Sequence, residues 1–198
     1  MKNIKLYNVF FPIWFLLLFP ITWLIAMPIN FVIDSIVILL SLKFLKIDDI
    51  FQKYKKVILK VFLFGFFADF VGAVFLFVFT SLVGRLEEQS GIFKWINGKM
   101  IESMMRSPFE NIYAFLLVAI AVIIAGLCIY YLNLKNSFSK IDIEAKDKKK
   151  LAFYMAIFTA PYFFFVPTSL VQVVSFKLQY LSYLAASSGD IKCPVPSA

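Results

Sequence analysis

Residues 61–84 read VFLFGFFADFVGAVFLFVFTSLVG, an apolar run broken by a single charge, Asp69. A helix needs about 20 predominantly apolar residues to cross a hydrocarbon core ~30 Å thick, and this run is long enough. Three further stretches, 6–33, 111–134 and 151–176, carry no charge at all. Barrel strands would alternate polar and apolar residues over about ten positions. These runs are continuous, so helices with internally satisfied backbones are expected instead. The composition agrees: 62% of residues are apolar, 19% aromatic, and the mean hydropathy is +0.86. A water-soluble fold of this length has too much surface to hide such a chain. The expected fold class is all-α, a polytopic transmembrane helix bundle of about five spans.

Outward from that run, the punctuation is proline and lysine. Residues 6–45 contain Pro20 and Pro28. Proline is welcome in a helix's first turn and disruptive in its interior, so a helical hairpin is expected, with a turn over 20–27 and a second helix starting near Pro28. Trp23 in that turn would suit the membrane interface. The first five residues resemble the basic start of a signal peptide, but no small-residue cleavage site follows the apolar run. Asp48 or Asp49 can cap a helix over 49–83. Residues 84–107 form an amphipathic outer loop, expected to rest Trp95 and Met100, Met104 and Met105 on the membrane surface. Ser107-Pro108-Phe109-Glu110 has the form of a capping box opening a helix over 108–134. A basic elbow over 135–150 leads into a helix over 151–187 that is kinked at Pro161 and Pro167. Residues 168–187 either span or lie on the outer surface, and 188–198 is expected to be a disordered tail. Residues 1–187 thus form one membrane-embedded domain.

Charge sets the expected orientation. Lys2, Lys5, six lysines around 43–60 and six around 135–150 make 2 + 6 + 6 = 14 basic residues on one side, against 6 on the other. Lys and Arg excess marks the cytoplasmic face. The N-terminus is therefore expected in the cytoplasm and the C-terminus outside, in a multi-pass protein of the cell membrane. The net charge of +8 fits this rule and contact with anionic head groups. No concentrated basic face on a soluble domain points to nucleic acid. The two elbows also resemble each other: at an offset of 94, six of thirteen positions match between 44–56 and 138–150, among them Phe44/Phe138 and Ile47/Ile141. Any cytoplasmic elbow selects an acidic cap followed by lysines, so duplication and shared composition are both open.

The chain has no histidine, which removes the commonest general base and metal ligand. Cys128 and Cys193 form no disulfide framework. No phosphate loop, nucleophile–base pair or cofactor box is present. Neither an enzyme nor a bound cofactor or metal is expected.

What remains are polar residues where they are costly. Asp69 sits near mid-membrane, and an ionised carboxylate there should face the bundle interior or carry its proton. Gly65, Ala68, Asp69, Gly72 and Ala73 share one helix face, and small residues permit close helix approach. Asp69 is expected within reach of a polar side chain, or of a carbonyl freed at the Pro161 break. It reads either as a proton or cation site or as a packing group, and the packing reading is preferred. Asn30, Asp34 and Ser41 share a face of the second helix. Asp34 would lie only two turns from Pro28, where the helix N-terminus favours negative charge. On the fourth helix, Ala114, Ala121, Ala125 and Cys128 line a packing seam. The leading expectation is a structural or accessory subunit that contacts other membrane proteins, or a second copy of itself, within the lipid bilayer. The alternative is a small solute or ion permease using Asp69, with Asp34 and Asn30 as further binding residues.

Overall fold

The computed structural model describes residues 13–18, 20–86 and 90–168. The expected start of helix 1 at residue 6, the segment 169–187 and the tail with Cys193 lie outside the described residues. Within them the chain is all-helical, without a strand. The helices are α1 (Ile13–Leu16), α2 (Pro20–Phe44), α3 (Ile50–Leu86), α4 (Gly91–Trp95), α5 (Glu102–Arg106), α6 (Ile112–Leu132) and α7 (Ala145–Phe158). Three helical stretches are long and apolar enough to cross a membrane: Ala26–Phe44, Ile50–Leu86 and Ile112–Lys140.

Their surfaces show why apolarity here is not a core signal alone. On α6, Ala114, Val118, Ala121, Ala125 and Ile129 are fully buried, at the three- and four-residue spacing of one helix face. The opposite face is equally apolar yet open, with Ile120 48% and Ile123 60% exposed. In water an exposed apolar face of this extent is a liability; against lipid tails it is the expected exterior. Cys128, expected on the seam, is half-buried at its edge.

The prolines resolve differently from the expected hairpin. α2 runs without interruption from Pro20, with Pro28 inside it. The chain turns before Pro20, whose missing N–H belongs to the first helical turn and needs no partner. Pro28 removes one backbone bond, which a 25-residue helix tolerates. Trp23 is therefore a helical residue. Its indole N–H donates to the Leu17 carbonyl at 2.8 Å, and its ring meets Phe66 edge-on.

α2 ends in a left-handed residue, Lys46 (φ 52°). The Lys46 N–H donates to Lys43 O at 3.0 Å and the Ile47 N–H to Leu42 O at 3.1 Å, the paired bonds of a Schellman end. The second elbow is built otherwise. α6 continues through a π turn, Asn133–Ser137, and a 3-10 turn, Phe138–Lys140. Inside it Asn133 donates to Ile129 O and accepts from the Ser137 hydroxyl, all buried. Phe138 is fully buried, whereas its match Phe44 is 75% exposed. The likeness of the elbows is one of residue types, not of backbone.

The expected capping box at Ser107 is not used. Asn111 is the cap, its side chain accepting from the Tyr113 N–H at 2.8 Å, and Pro108–Glu110 form a separate 3-10 turn. Residues 91–106 are helical with a central π turn, Ile96–Ile101. This segment caps the end of the bundle rather than laying its Met patch on lipid. Met104 and Ile101 are 1% and 3% exposed inside the core, while Trp95 stays half open beside Tyr113. α7 stops at Phe158 because Pro161 has no N–H to give and disfavours helical geometry at Ala160.

Candidate functional site

α2 and α3 run antiparallel and meet along one four-residue ladder. Asn30 lies level with Asp69 and Asp34 with Gly65, each pair of numbers summing to 99. The top rung is a hydrogen bond, Asn30 Nδ2 donating to Asp69 Oδ2 at 3.1 Å. The next is a close approach: a Cβ added to Gly65 would stand 3.2 Å from Asp34 Oδ2. Glycine there leaves the volume that the Asp34 carboxyl fills. One turn further toward the elbow the helices are apolar, with Ile38 and Val61 fully buried in one cluster.

Both carboxylates are buried, each 3% exposed, and they line one cavity of about 200 Å³. Asp34 lies fifteenth in the 25 residues of α2, and Asp69 twentieth in the 37 of α3. The expected placement of Asp34 two turns from a helix N-terminus is therefore corrected. Because α2 starts at Pro20, Asp34 is about 21 Å along it, beyond the reach of the terminal dipole.

The cavity's remaining wall is the break after α7: Phe158, Thr159, Ala160, Tyr162 and Phe163. The Thr159 hydroxyl donates to Met155 O at 2.8 Å and neighbours Asp34. The end of a 14-residue helix also brings its partial negative charge to the same place. Asp69 Oδ1 is buried and accepts no hydrogen bond from a described residue. Among the described residues neither lysine nor arginine lines the cavity. Two carboxyls and a helix C-terminus thus converge beside the Asn30 amide and the Thr159 hydroxyl. Such a set is complementary to a positive charge, whether a proton or a small cation.

Of the residues singled out from sequence, Asn30, Asp34 and Asp69 come together here. Ser41 is buried on the same helix, nearer the elbow and outside the cavity. The small-residue face is inside the bundle: Ala68, Gly72 and Ala73 are buried, and a Cβ on Gly72 would meet Phe164 Cε2 at 3.0 Å and Ala121 O at 3.3 Å. That face is occupied within the chain itself. Thr159 was not among the expected site residues. Its signal was available, since a hydroxyl two residues before a mid-helix proline stands where backbone carbonyls are released. Among the described residues no group of three or more acidic or cysteine side chains is arranged to hold a metal ion. No protein-family model matches this chain, and neither the curated proteins nor the solved structures include one similar to it.

Proposed function

We propose that this chain is a multi-pass membrane protein that binds and passes a proton or small cation at the Asp34–Asp69 pair, in the manner of a small permease. The observation that carries the reading is Asp69 Oδ1, a carboxylate oxygen buried at the middle of a long apolar helix with no hydrogen-bond partner among the described residues. A packing role alone would be served by Asn30 and Asp69 and would leave the second carboxyl and the cavity without a purpose. Intramembrane carboxylates that face a polar cavity mark ion and proton pathways more often than they mark packing.

The test is flux in vesicles containing the purified chain and a pH-sensitive dye. Wild type is expected to dissipate an imposed proton gradient, alone or in exchange for sodium or potassium. Asp69→Asn is expected to bring the flux down to that of protein-free vesicles while keeping the helical spectrum and melting temperature. A folded wild type that is inert under proton, sodium and potassium gradients would overturn the reading.

The topology proposed with it has about five spans, the N-terminus and both basic elbows in the cytoplasm, the 84–107 segment and C-terminus outside, and the cell membrane as location. The excess of 14 basic residues over 6 supports it. Cys193 should then react with an impermeant thiol reagent on intact cells; reaction only after lysis would refute the span count.

The second reading, a structural or accessory subunit, has one observation of its own. Ala119, Gly126, Ala156 and Ala160 line an apolar groove of about 510 Å³ on the outer wall between α6 and α7. Small residues in an outward groove fit a helix of another membrane protein or of a second copy. Gly126→Leu would block that contact, and under this reading would abolish co-purification of the partner while leaving flux through the carboxylate pair unchanged.

A further inference from the structure

Another cavity lies between the same two helices, α2 and α7, nearer the elbow, and shares Phe158 but neither carboxylate with the first. It is a groove of about 870 Å³ between the end of α2 and α7. Its floor and walls are Val37, Leu40, Phe44, Tyr154 and Phe158, with Phe44 and Tyr154 in edge contact at 6.0 Å. The apolar part is open, with Leu40 61% and Phe44 75% exposed. At one end only, two lysines complete the lining, Lys43 and Lys46. Both are exposed, and neither forms an ion pair with a described residue. Among the described residues no acidic side chain lines the groove; Asp48 and Asp49 follow on the elbow beyond it.

Three features make that end suitable for an anion. A helix C-terminus ordinarily repels negative charge, but here the Ser41, Leu42 and Lys43 carbonyls already accept the Leu45, Ile47 and Lys46 N–H groups. Lys46 holds the left-handed position that a Schellman end gives to glycine, so its side chain is kept there against a backbone preference. The two lysines also stand where the apolar span of α2 ends, at the depth of lipid head groups.

We propose that this groove binds one anionic phospholipid, its phosphate between Lys43 and Lys46 and an acyl chain along Val37, Leu40 and Phe44. Complementarity of charge and of polarity along a single groove identifies the occupant. A soluble anion would have no use for the apolar length, and a neutral lipid none for the paired lysines. The site lies in the leaflet that faces the basic elbows.

The experiment is lipid retention by the full chain, purified from nanodiscs of equal phosphatidylglycerol and phosphatidylcholine and weighed by native mass spectrometry. Wild type is expected to keep one phosphatidylglycerol in preference to phosphatidylcholine. Joint Lys43→Gln and Lys46→Gln should cut that preference on the order of tenfold, as loss of two near-surface cations implies. Leu40→Trp, which fills the groove and leaves charge alone, should also cut it. Joint Lys55→Gln and Lys56→Gln, an equal charge change on α3, should not. Each variant's melting temperature in phosphatidylcholine alone establishes that it is folded. Equal retention of both lipids by wild type, or an equal loss in the Lys55/Lys56 variant, overturns the proposal. So does retention unaffected by Leu40→Trp, which would leave bulk electrostatics as the cause.

Discussion

The bundle has two apolar cores, one on each side of the carboxylate cavity, and they are built from different material. The elbow-side core takes Ile38 and Leu42 from α2, Val57 and Val61 from α3, Ile129 from α6, and Leu151 and Met155 from α7. α2, α3 and α7 each contribute residues four apart and so are gripped twice, α6 adds Ile129, and Phe138 and Ile141 of the second elbow close the base. The far core also uses α3 and α6, but its other members come from short pieces: Trp14 and Leu17 around α1, Ile101 and Met104 from the capping segment, Phe164 from a 3-10 turn. A long helix held by several buried contacts opens only with much of the bundle, whereas a short segment can leave alone. The cavity is thus closed firmly on the elbow side and by separable parts on the other, and that is the side on which its occupant would exchange.

Substitutions in each core break or sharpen this contrast. Phe138→Ala should have the largest effect, a loss of about 3–5 kcal/mol, because a fully buried ring leaves a cavity that helix ends cannot collapse into. Phe164→Ala should lose roughly half of that, since the short turn can settle into the space. Denaturant titration in micelles checks both, and a Phe164 loss equal to that of Phe138 would remove the contrast. Phe164→Ala should also speed thiol labelling of an Asn30→Cys variant, while Phe138→Ala should not unless it unfolds the protein.

Gly72→Ala comes next, at about 1–3 kcal/mol, because its methyl would press on the ring of Phe164 and on the backbone oxygen of Ala121, which cannot swing away. Gly65→Ala should be milder, since its neighbour is a carboxyl group that can rotate. It should still displace Asp34 and impair flux in the vesicle assay, an effect on the site out of proportion to stability. Asp69→Leu should lose roughly 1–3 kcal/mol by leaving the Asn30 amide unpaired, where Asp69→Asn keeps a partner. Equal melting temperatures for the two would exclude any packing role for the Asn30–Asp69 bond. The smallest effect is a gain: Lys46→Gly should stabilise the chain by about 0.5–1 kcal/mol in phosphatidylcholine, by relieving a left-handed lysine.

How much of this the sequence discloses depends on whether a feature is local. Helix existence is local: long uncharged runs left α3 and α6 with no competing reading. The face holding Gly65, Ala68, Asp69 and Gly72 is local too, since residue spacing alone decides it. The start of α2 was not, because Pro20 and Pro28 both suit a first turn, and the choice rests on contacts such as the Trp23 bond to Leu17. That one misplacement moved Asp34 from mid-helix to near a terminus and hid its pairing with Gly65. The register between α2 and α3 was equally out of reach. Helices apolar on every side carry no hydrophobic stripe to show which face turns inward. The polar residues Asn30, Asp34 and Asp69 were register marks, but their meeting required the partner helix. Met104 illustrates the converse: its spacing marked a helix correctly, but whether lipid or protein received the methionine is a tertiary question.

The length of α3 carries a consequence of its own. Its uncharged flanks around Asp69, from Val61 to Gly84, extend about 36 Å at 1.5 Å per residue, against a hydrocarbon thickness of ~30 Å. The excess must be absorbed by inclining the helix or by thickening the surrounding bilayer. α2 has a shorter apolar span, Ala26–Phe44, and is tied to α3 through Asn30 and Asp69, so the two cannot adjust independently. A change in membrane thickness would therefore strain the contacts between the two helices, the Asn30–Asp69 and Tyr54–Ser35 hydrogen bonds among them.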